Sequence, residues 1–313
     1  MINAERDSCL SYKGIEKSFG AVRALDCVDL DVRRGEIFGF IGPDGAGKTT
    51  LIRVAMGIVQ PDKGRCFLLG SEDRRAARTR AGYVSQIFSL YQNMSVMENI
   101  EFFGSLYGEK KEIIMERAEK ILRRTGLWKF RKRFAGQLSG GMKQKLALAA
   151  GLLHTPEILF LDEPTTGVDP VSRREFWAIL YEYNKEGLTI VVSTPYMDEA
   201  ELCTRKMFIS SGRIIDEGSS RELLSRYKNR VLRLDYGSRR AKKQLLGCAH
   251  VKDAKLFGSS YHIVVDDMEG AKRAVEDYFK AEKISVPTME EIEPGLEDLF
   301  VALSSSENTA GLS

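Results

Sequence analysis

The sequence is poor in the residues that build disulfide frameworks and metal clusters. Its five cysteines are odd in number and have no Cys-x-x-Cys spacing, and its three histidines stand far apart along the chain. Such scattered thiols predict reduced cysteines, and the histidines form no metal-ligand pattern. The residues concerned are Cys9, Cys27, Cys66, Cys203, Cys248, His154, His250 and His262.

Long hydrophobic runs are also missing from the sequence. No apolar run approaches the ~18 residues that a membrane-spanning helix needs. The first residues, Met1 to Asp7, have neither the basic start nor the apolar core of a secretory signal. We therefore expect a cytoplasmic protein without a membrane span of its own.

A strong excess of one charge sign is absent, because the net charge is only +3 over 313 residues. This balance gives no reason to expect nucleic acid as a partner. Three basic runs do occur, Arg74–Arg80, Lys129–Arg133 and Arg239–Lys243, and acidic residues nearby make each a predicted solvated face. The length predicts about two domains, and a hydrophobic share of 43% is ample for buried cores.

A glycine-rich loop lies between the apolar run Ile37–Ile41, a predicted buried strand, and a helical pattern that starts near Leu51. Its G-x-x-x-x-G-K-T spacing is that of a phosphate-binding loop and is too complete for a chance glycine turn. The glycines let backbone N–H groups surround an anion, and the helix start adds further donors. Lys48 would reach the β- and γ-phosphates, and the Thr49 hydroxyl would hold Mg²⁺. We expect a nucleoside triphosphate to bind Gly42, Pro43, Asp44, Gly45, Ala46, Gly47, Lys48, Thr49 and Thr50.

The pattern of strands and helices around this loop predicts a doubly wound α/β core of the P-loop NTPase type. The continuous apolar runs Ile158–Leu161 and Leu188–Val192 are typical of parallel strands buried on both faces. Leu10–Asp31 predicts an antiparallel β subdomain. The amphipathic stretch Ser95–Thr125 predicts a helical insertion, within a helical subdomain of about residues 90–155.

The composition shifts after Gly218, and we place a domain boundary near Arg230. The predicted domains are therefore residues 1–229 and 230–313. The second has alternating Leu232 and Leu234, later amphipathic helical patterns and no catalytic constellation, which predicts a small α+β unit. The tail after Ser304 has the composition of a disordered segment.

Two carboxylates, Asp162 and Glu163, directly follow the buried run Ile158–Leu161. They would therefore lie at the carboxyl end of a central strand, where open α/β sheets bind ligands. Asp162 is placed to bind Mg²⁺ beside Thr49, and Glu163 to orient and polarise an attacking water. A merely polar strand end is the alternative, but a charged pair closing a buried strand is costly.

A second predicted anion site lies at Ser139-Gly140-Gly141, where two glycines follow a serine at the start of a helix. Taken alone, this triplet is a weak signal, and a flexible helix cap is its default interpretation. Its position shortly before the strand that ends at Asp162 favours a functional role.

At these residues the sequence resembles the ATP-binding-cassette (ABC) ATPases, over roughly Leu10 to Tyr227. Leu138–Met142 is similar to the family's L-S-G-G-Q signature, and the glycine-rich loop and the strand before Pro164 resemble its phosphate loop and magnesium strand. The resemblance makes Gln86 the glutamine of the Q-loop, with expected roles at Mg²⁺ and in catalysis. It likewise makes Asp169 a D-loop residue and Phe19 the aromatic that stacks on adenine, although a core aromatic is the alternative for Phe19.

The resemblance implies that two such domains close head to tail over two ATP molecules, with Mg²⁺. Ser139-Gly140-Gly141 of one subunit then contacts the γ-phosphate that the other holds. The second ATPase domain could be an identical or a different chain. The stretches Gln86–Tyr107 and Pro294–Phe300 resemble exporters with a separate integral-membrane permease. This chain would then lie at the inner face of the cell membrane through that permease.

Three positions depart from the family pattern. Asp44 replaces a frequent Asn, Met142 replaces the signature Gln, and Pro195 stands where the switch histidine is expected. Proline has no side-chain donor and no backbone N–H. Glu163 alone could suffice for hydrolysis. The alternative is an ATP-dependent clamp or regulatory subunit with a degenerate hydrolytic site, working beside a competent partner ATPase.

Overall fold

The computed structural model describes residues 8–108, 110–227 and 229–310. The chain forms two compact units, Met1–Ser219 and Ser220–Ser313. The shift in composition predicts a later boundary, near Arg230. The difference is the helix Ser220–Arg226, which packs on the last helix of the second unit.

The first unit alternates strands and helices along most of its length. Its strands are β1 Ser8–Phe19, β2 Val22–Arg33, β3 Ile37–Ile41, β4 Lys63–Leu68, β5 Ala81–Val84, β6 Ile158–Asp162, β7 Thr189–Thr194, β8 Arg205–Ser210 and β9 Arg213–Gly218. Its helices are α1 Lys48–Ala55, α2 Arg74–Ala77, α3 Val96–Leu106, α4 Lys111–Arg124, α5 Gly140–Leu152, α6 Pro170–Lys185 and α7 Met197–Leu202.

A six-stranded sheet in the order β5-β6-β7-β3-β8-β9 forms the core of this unit. Its first five strands are parallel, and β9 runs antiparallel to β8. All five residues of β6 are buried, and its alternating side chains enter different clusters: Leu159 and Leu161 pack on one face, Ile158 and Phe160 on the other. This two-sided burial is what a continuous apolar strand predicts.

A three-stranded antiparallel sheet, β2-β1-β4, packs over the helix that follows the glycine-rich loop. The predicted antiparallel subdomain and helical insertion are thus both present. The helical stretch predicted over Ser95–Thr125 is two helices, α3 and α4, because the chain turns at Gly108, where φ is +72°. Ser95 and Glu98 form a reciprocal capping box at the start of α3.

The second unit is α+β, as the sequence predicts. Its strands are β10 Arg230–Leu234, β11 Val251–Phe257, β12 Ser260–Val265 and β13 Met289–Ile292, and its helices are α8 Ser220–Arg226, α9 Lys242–Leu245, α10 Met268–Ala281 and α11 Leu296–Ala310. The antiparallel sheet has the order β11-β12-β10-β13. The alternating Leu232 and Leu234 of β10 pack with Val275 and Phe279 of α10.

The last helix, α11, runs through Ala310, beyond the point where the sequence predicts a disordered tail, and residues 311–313 lie outside the described ranges. Within those ranges, no helix combines the length and the hydropathy that a bilayer crossing requires.

The two possible boundaries give different fragments of the second unit. Residues 220–313 should unfold cooperatively and should be more stable than residues 230–313 by about 2–5 kcal/mol, because the shorter fragment lacks the fully buried Leu223. Urea unfolding followed by far-ultraviolet circular dichroism measures the difference. Equal stability of the two fragments would favour the boundary near Arg230.

Candidate functional site

The glycine-rich loop joins β3 to α1 and is held in place by backbone contacts. The Gly42 N–H donates to Thr194 O, at the end of β7, over 3.4 Å. Gly47 has φ of +110°, and a Cβ there would come within 2.6 Å of Ala24 O. Only glycine fits that position without strain, since it has neither the conformational penalty nor the Cβ.

Lys48, the first residue of α1, is a buried cation whose three oxygen partners lie close by. Its Nζ donates to Gly42 O at 2.7 Å and to Pro43 O at 2.9 Å, and lies 3.2 Å from Glu163 Oε1. Both ionised side chains are more than nine-tenths buried. Either charge would be costly to bury alone, so the burial of each depends on the ion pair and on its hydrogen bonds.

Asp162, the last residue of β6, is surrounded by hydroxyl groups. Thr49 Oγ1 and Ser193 Oγ both donate to Asp162 Oδ1, at 2.9 and 2.7 Å. The Tyr83 hydroxyl lies 3.4 Å from Asp162 Oδ2. Burial, and then the Asp162 charge, raise the pKa of Tyr83, so it remains a protonated donor. The predicted pair of Thr49 and Asp162 is therefore in direct contact.

Ser193 and Tyr83 are site residues that the sequence analysis missed. Ser193 is fully buried in β7, and β-strand pairing sets it beside Asp162. Besides donating to Asp162, its hydroxyl accepts from the Glu163 N–H at 3.0 Å. One hydroxyl thus joins the two carboxylate residues. The only sign of Ser193 in the sequence is a polar residue near the end of a buried strand.

Glu163 and Gln86 also meet at this edge of the sheet. Gln86 Nε2 donates to Glu163 Oε2 at 2.9 Å. Glu163 has φ of 47°, a left-handed conformation that is unusual for a residue with a side chain. Backbone strain of this kind is concentrated at functional sites.

A cavity of about 220 Å³ opens over the loop. It is lined by Val22, Ala24, Asp44, Gly45, Ala46, Gly47, Lys48, Thr49, Thr50, Gln86 and Glu163. Phe19 does not line this cavity. Phe19 is 50% exposed, so the alternative that it is a core aromatic is wrong. Lys17 Nζ lies 5.5 Å from the centre of the Phe19 ring.

The signature residues do not belong to this cavity. Ser139 caps α5 by accepting from the Met142 N–H at 3.3 Å, and Ser139 and Gly140 are exposed. A Cβ on Gly140 would meet nothing within 4 Å, whereas one on Gly141 would lie 2.6 Å from the Ser172 side chain. The chain therefore leaves Ser139 and Gly140 of the signature open to solvent, whereas Leu138 and Gly141 are buried.

Asp169 caps the neighbouring helix α6 and is likewise outside the cavity. Its Oδ1 accepts from the N–H groups of Val171, at 3.1 Å, and Ser172, at 2.9 Å. Hydrogen bonds from Ser172, the backbone N–H first, lower the pKa of this carboxyl. Asp169 is thus an ionised cap on an exposed helix start.

Pro195 follows β7 directly, beside the glycine-rich loop, and is partly buried. None of the described histidines replaces the missing switch residue. His154 bonds to Ala81 O and stacks on Tyr107, while His250 and His262 belong to the second unit.

The hard oxygen donors of this site suit magnesium. Mg²⁺ in phosphate-binding enzymes takes few protein ligands, with substrate oxygens completing its shell. Thr49 and Asp162, already in contact, provide such a set, with Gln86 nearby. Within the described ranges, no cluster of three or more His, Cys, Asp or Glu residues forms an all-protein metal cage.

Comparison with known proteins agrees with this geometry. The ABC transporter family model matches residues 25–166, and a model of the C-terminal domain of DrrA1-3-like ATP-binding proteins matches residues 218–304. Among solved structures, a dimeric ATP-binding cassette in a post-hydrolysis state, bound to ADP and Pi, is similar with a TM-score of 0.62. That match has 26% identity and covers 67% of this chain and 98% of the other.

Two curated relatives extend the similarity to most of the chain. The probable multidrug ABC transporter ATP-binding protein YbhF of Escherichia coli (strain K12) is 34% identical over 97% of this chain, which spans only 53% of that protein. The daunorubicin resistance ATP-binding protein DrrA3 of Streptomyces coeruleorubidus is 35% identical over 91% of this chain and 95% of its own length. The resemblance in the sequence is confirmed, and the chain belongs to the ATP-binding proteins of the ABC transporter family.

Proposed function

We propose that this chain binds and hydrolyses ATP as the engine of an exporter, and that two ATPase domains close over two MgATP to drive a separate membrane permease. The observation that carries this proposal is the set of side chains around the glycine-rich loop. Lys48, Thr49, Asp162, Glu163 and Gln86 come from three separate segments and contact one another at one edge of the sheet.

The loop fits a triphosphate by its charge and its donors. Lys48 and the N–H groups at the start of α1 would bind the phosphates. Thr49, Asp162 and Gln86 would hold Mg²⁺, which neutralises phosphate charge when bound. Because the cavity measures only about 220 Å³, adenine would lie outside it, against the exposed Phe19.

Glu163 is the residue best placed to orient and polarise the attacking water. Its carboxylate lies at the cavity, held by Gln86 on one oxygen and by Lys48 on the other. A phosphate bound by the loop would compete with Glu163 for the Lys48 ammonium. That competition would free one carboxylate oxygen to accept a hydrogen bond from water.

The exposed signature supports action on a second ATPase domain. Ser139 and Gly140 lie outside the chain's own cavity, at the N-terminus of the long helix α5, where backbone N–H groups favour an anion. The similar solved cassette is dimeric and holds ADP and Pi. Ser139, Gly140, Gly141 and Asp169 would then complete the partner's nucleotide site.

The names of the relatives support export. One is a probable multidrug transporter protein, and another, matched along 95% of its length, is a daunorubicin resistance protein. Both are named as ATP-binding proteins, which supports a permease on another polypeptide. We propose a location at the cytoplasmic face of the membrane through that permease, with no nucleic acid partner.

Steady-state hydrolysis of MgATP by the purified chain tests this proposal. We expect turnover per chain to rise with protein concentration, because each competent site needs two chains. Glu163→Gln should lower turnover by about 10²–10⁴ while ATP binding persists, since proton transfer and water positioning are lost. Turnover equal to that of the Glu163→Gln control at every concentration would contradict the proposal.

A substitution at Gly140 tests the signature without disturbing the fold. A methyl group there meets nothing in this chain, so Gly140→Ala should keep the melting temperature and the ATP affinity of the isolated subunit. Turnover should fall by about 10²-fold, because the methyl group displaces the partner's phosphate. Gly141→Ala is the contrasting variant, as its methyl group clashes with Ser172 and should lower stability. Unchanged turnover in Gly140→Ala would argue against action in trans.

Pro195 supports a second candidate function, an ATP-dependent clamp or regulatory subunit beside a competent partner ATPase. If a missing donor limits hydrolysis, Pro195→His should raise turnover by about 10²–10³ at unchanged ATP affinity. The single-turnover rate with saturating MgATP measures this, with Pro195→Ala as the control for loss of the ring. If Pro195→His hydrolyses ATP no faster than the wild-type chain, Glu163 is sufficient for hydrolysis. That result would exclude the clamp as a candidate function.

A further inference from the structure

A surface segment before the signature combines positive charge with aromatic rings. It comprises Trp128–Phe134, of sequence Trp-Lys-Phe-Arg-Lys-Arg-Phe, and we call it the basic–aromatic patch. The first three residues form a short 3₁₀ turn after α4. The rest of the segment is pinned to the start of α3, where the Met97 N–H donates to Arg131 O.

The cations of the patch lie over its aromatic faces. The guanidinium of Arg131 is 4.6 Å from the Trp128 ring, which also receives Arg123 at 5.1 Å. Lys129 and Arg133 lie 5.1 and 4.6 Å from the Phe130 ring. Aromatic contacts of this kind hold a cation in place without neutralising it.

The sequence predicts a solvated face here with acidic residues nearby, but no described carboxylate lies within ion-pair distance of the cations of the patch. Elsewhere on the surface Arg and Lys are commonly paired, as Arg123 is with Glu119 and Arg124 is with Glu186. No ion pair joins Lys129, Arg131, Lys132 or Arg133 to any described acidic residue. Four like charges are therefore concentrated on one segment, where Lys129, Lys132 and Arg133 are exposed and Arg131 is partly buried. This concentration of charge favours an anionic partner.

The patch also exposes apolar area. The Phe134 side chain is 51% exposed, and Trp128 and Phe130 are partly exposed. The basic run of the second unit, Arg239–Lys243, carries four cations but no aromatic residue. Cations interleaved with amphipathic rings suit a surface that is anionic outside and apolar just beneath.

We propose that the basic–aromatic patch binds anionic phospholipid headgroups of the membrane. Lys129, Arg131, Lys132 and Arg133 would attract the phosphates, and Phe134 and Trp128 would enter the interfacial layer. The proposal rests on the proposed function only in requiring that the chain work beside a membrane. An anionic surface also relieves the repulsion among four unpaired cations, which a neutral partner would not.

Flotation with lipid vesicles tests the patch directly. The full-length chain should bind phosphatidylcholine vesicles that contain phosphatidylglycerol, bind less as salt rises, and not bind phosphatidylcholine alone. Changing Lys129, Arg131, Lys132 and Arg133 to Gln should weaken binding by at least about tenfold. The matched control changes Arg239, Arg240, Lys242 and Lys243 to Gln, which removes the same charge and should retain binding.

Tryptophan fluorescence gives a second measurement that does not require the fourfold variant. The chain has two tryptophans, and Trp177 is buried in the core at 2% exposure. Brominated lipids should therefore quench Trp128 selectively in the wild-type chain, and Phe134→Ala should reduce that quenching. MgATP turnover without vesicles should be unchanged in the patch variants, which separates failure here from failure of the proposed function.

Three outcomes would overturn the proposal. The first is no binding to the anionic vesicles, which would favour an acidic segment of a protein as the partner of the patch. The second is an equal loss of binding in the patch variant and its matched control, which would trace binding to overall charge. The third is binding of a single-stranded oligonucleotide through the patch, with no quenching by brominated lipids.

Discussion

The buried ion pair between Lys48 and Glu163 is the constraint on which the nucleotide edge of this protein depends. An ammonium and a carboxylate 3.2 Å apart, both nearly inaccessible to water, are stable only when their remaining hydrogen-bonding capacity is met. Lys48 donates to the carbonyls of Gly42 and Pro43, and Glu163 accepts a hydrogen bond from the side-chain amide of Gln86. The glycine-rich loop, Glu163 and Gln86 are thus joined by the contacts that satisfy these two charges.

Strand order brings these charges together. In the parallel sheet β6 lies beside β7, and β7 beside β3, so the three carboxyl ends meet at one edge. The register pairs Asp162 with Ser193 and Ile41 with Thr194. Residues far apart in the sequence thus become neighbours because of backbone pairing. The hydroxyl of Ser193 then ties Asp162 to the backbone of Glu163.

The sequence predicts the parts of this site that have a spacing or a period. The glycine-rich loop, the apolar strand before Asp162 and the capped helix after Ser139 were all recognisable, since each imposes a local pattern. Contacts that depend on strand register were not. Ser193 has no distinguishing spacing in an apolar run, and no sequence pattern marks the positive φ of Glu163. The break between α3 and α4 was missed for a different reason, because it depends on a single turn at Gly108.

The glycines of the loop and the signature differ in whether contacts within this chain require them. Gly42 and Gly47 are required by the chain's own backbone, and Gly141 by Ser172, because a Cβ at any of them would collide within the subunit. Gly140 has no such neighbour, lies exposed at a helix start, and still lacks a side chain. Its φ is not in the left-handed region, so the fold of this chain does not require glycine there. The absent Cβ therefore supports close approach by a group outside this chain, as a signature acting in trans requires.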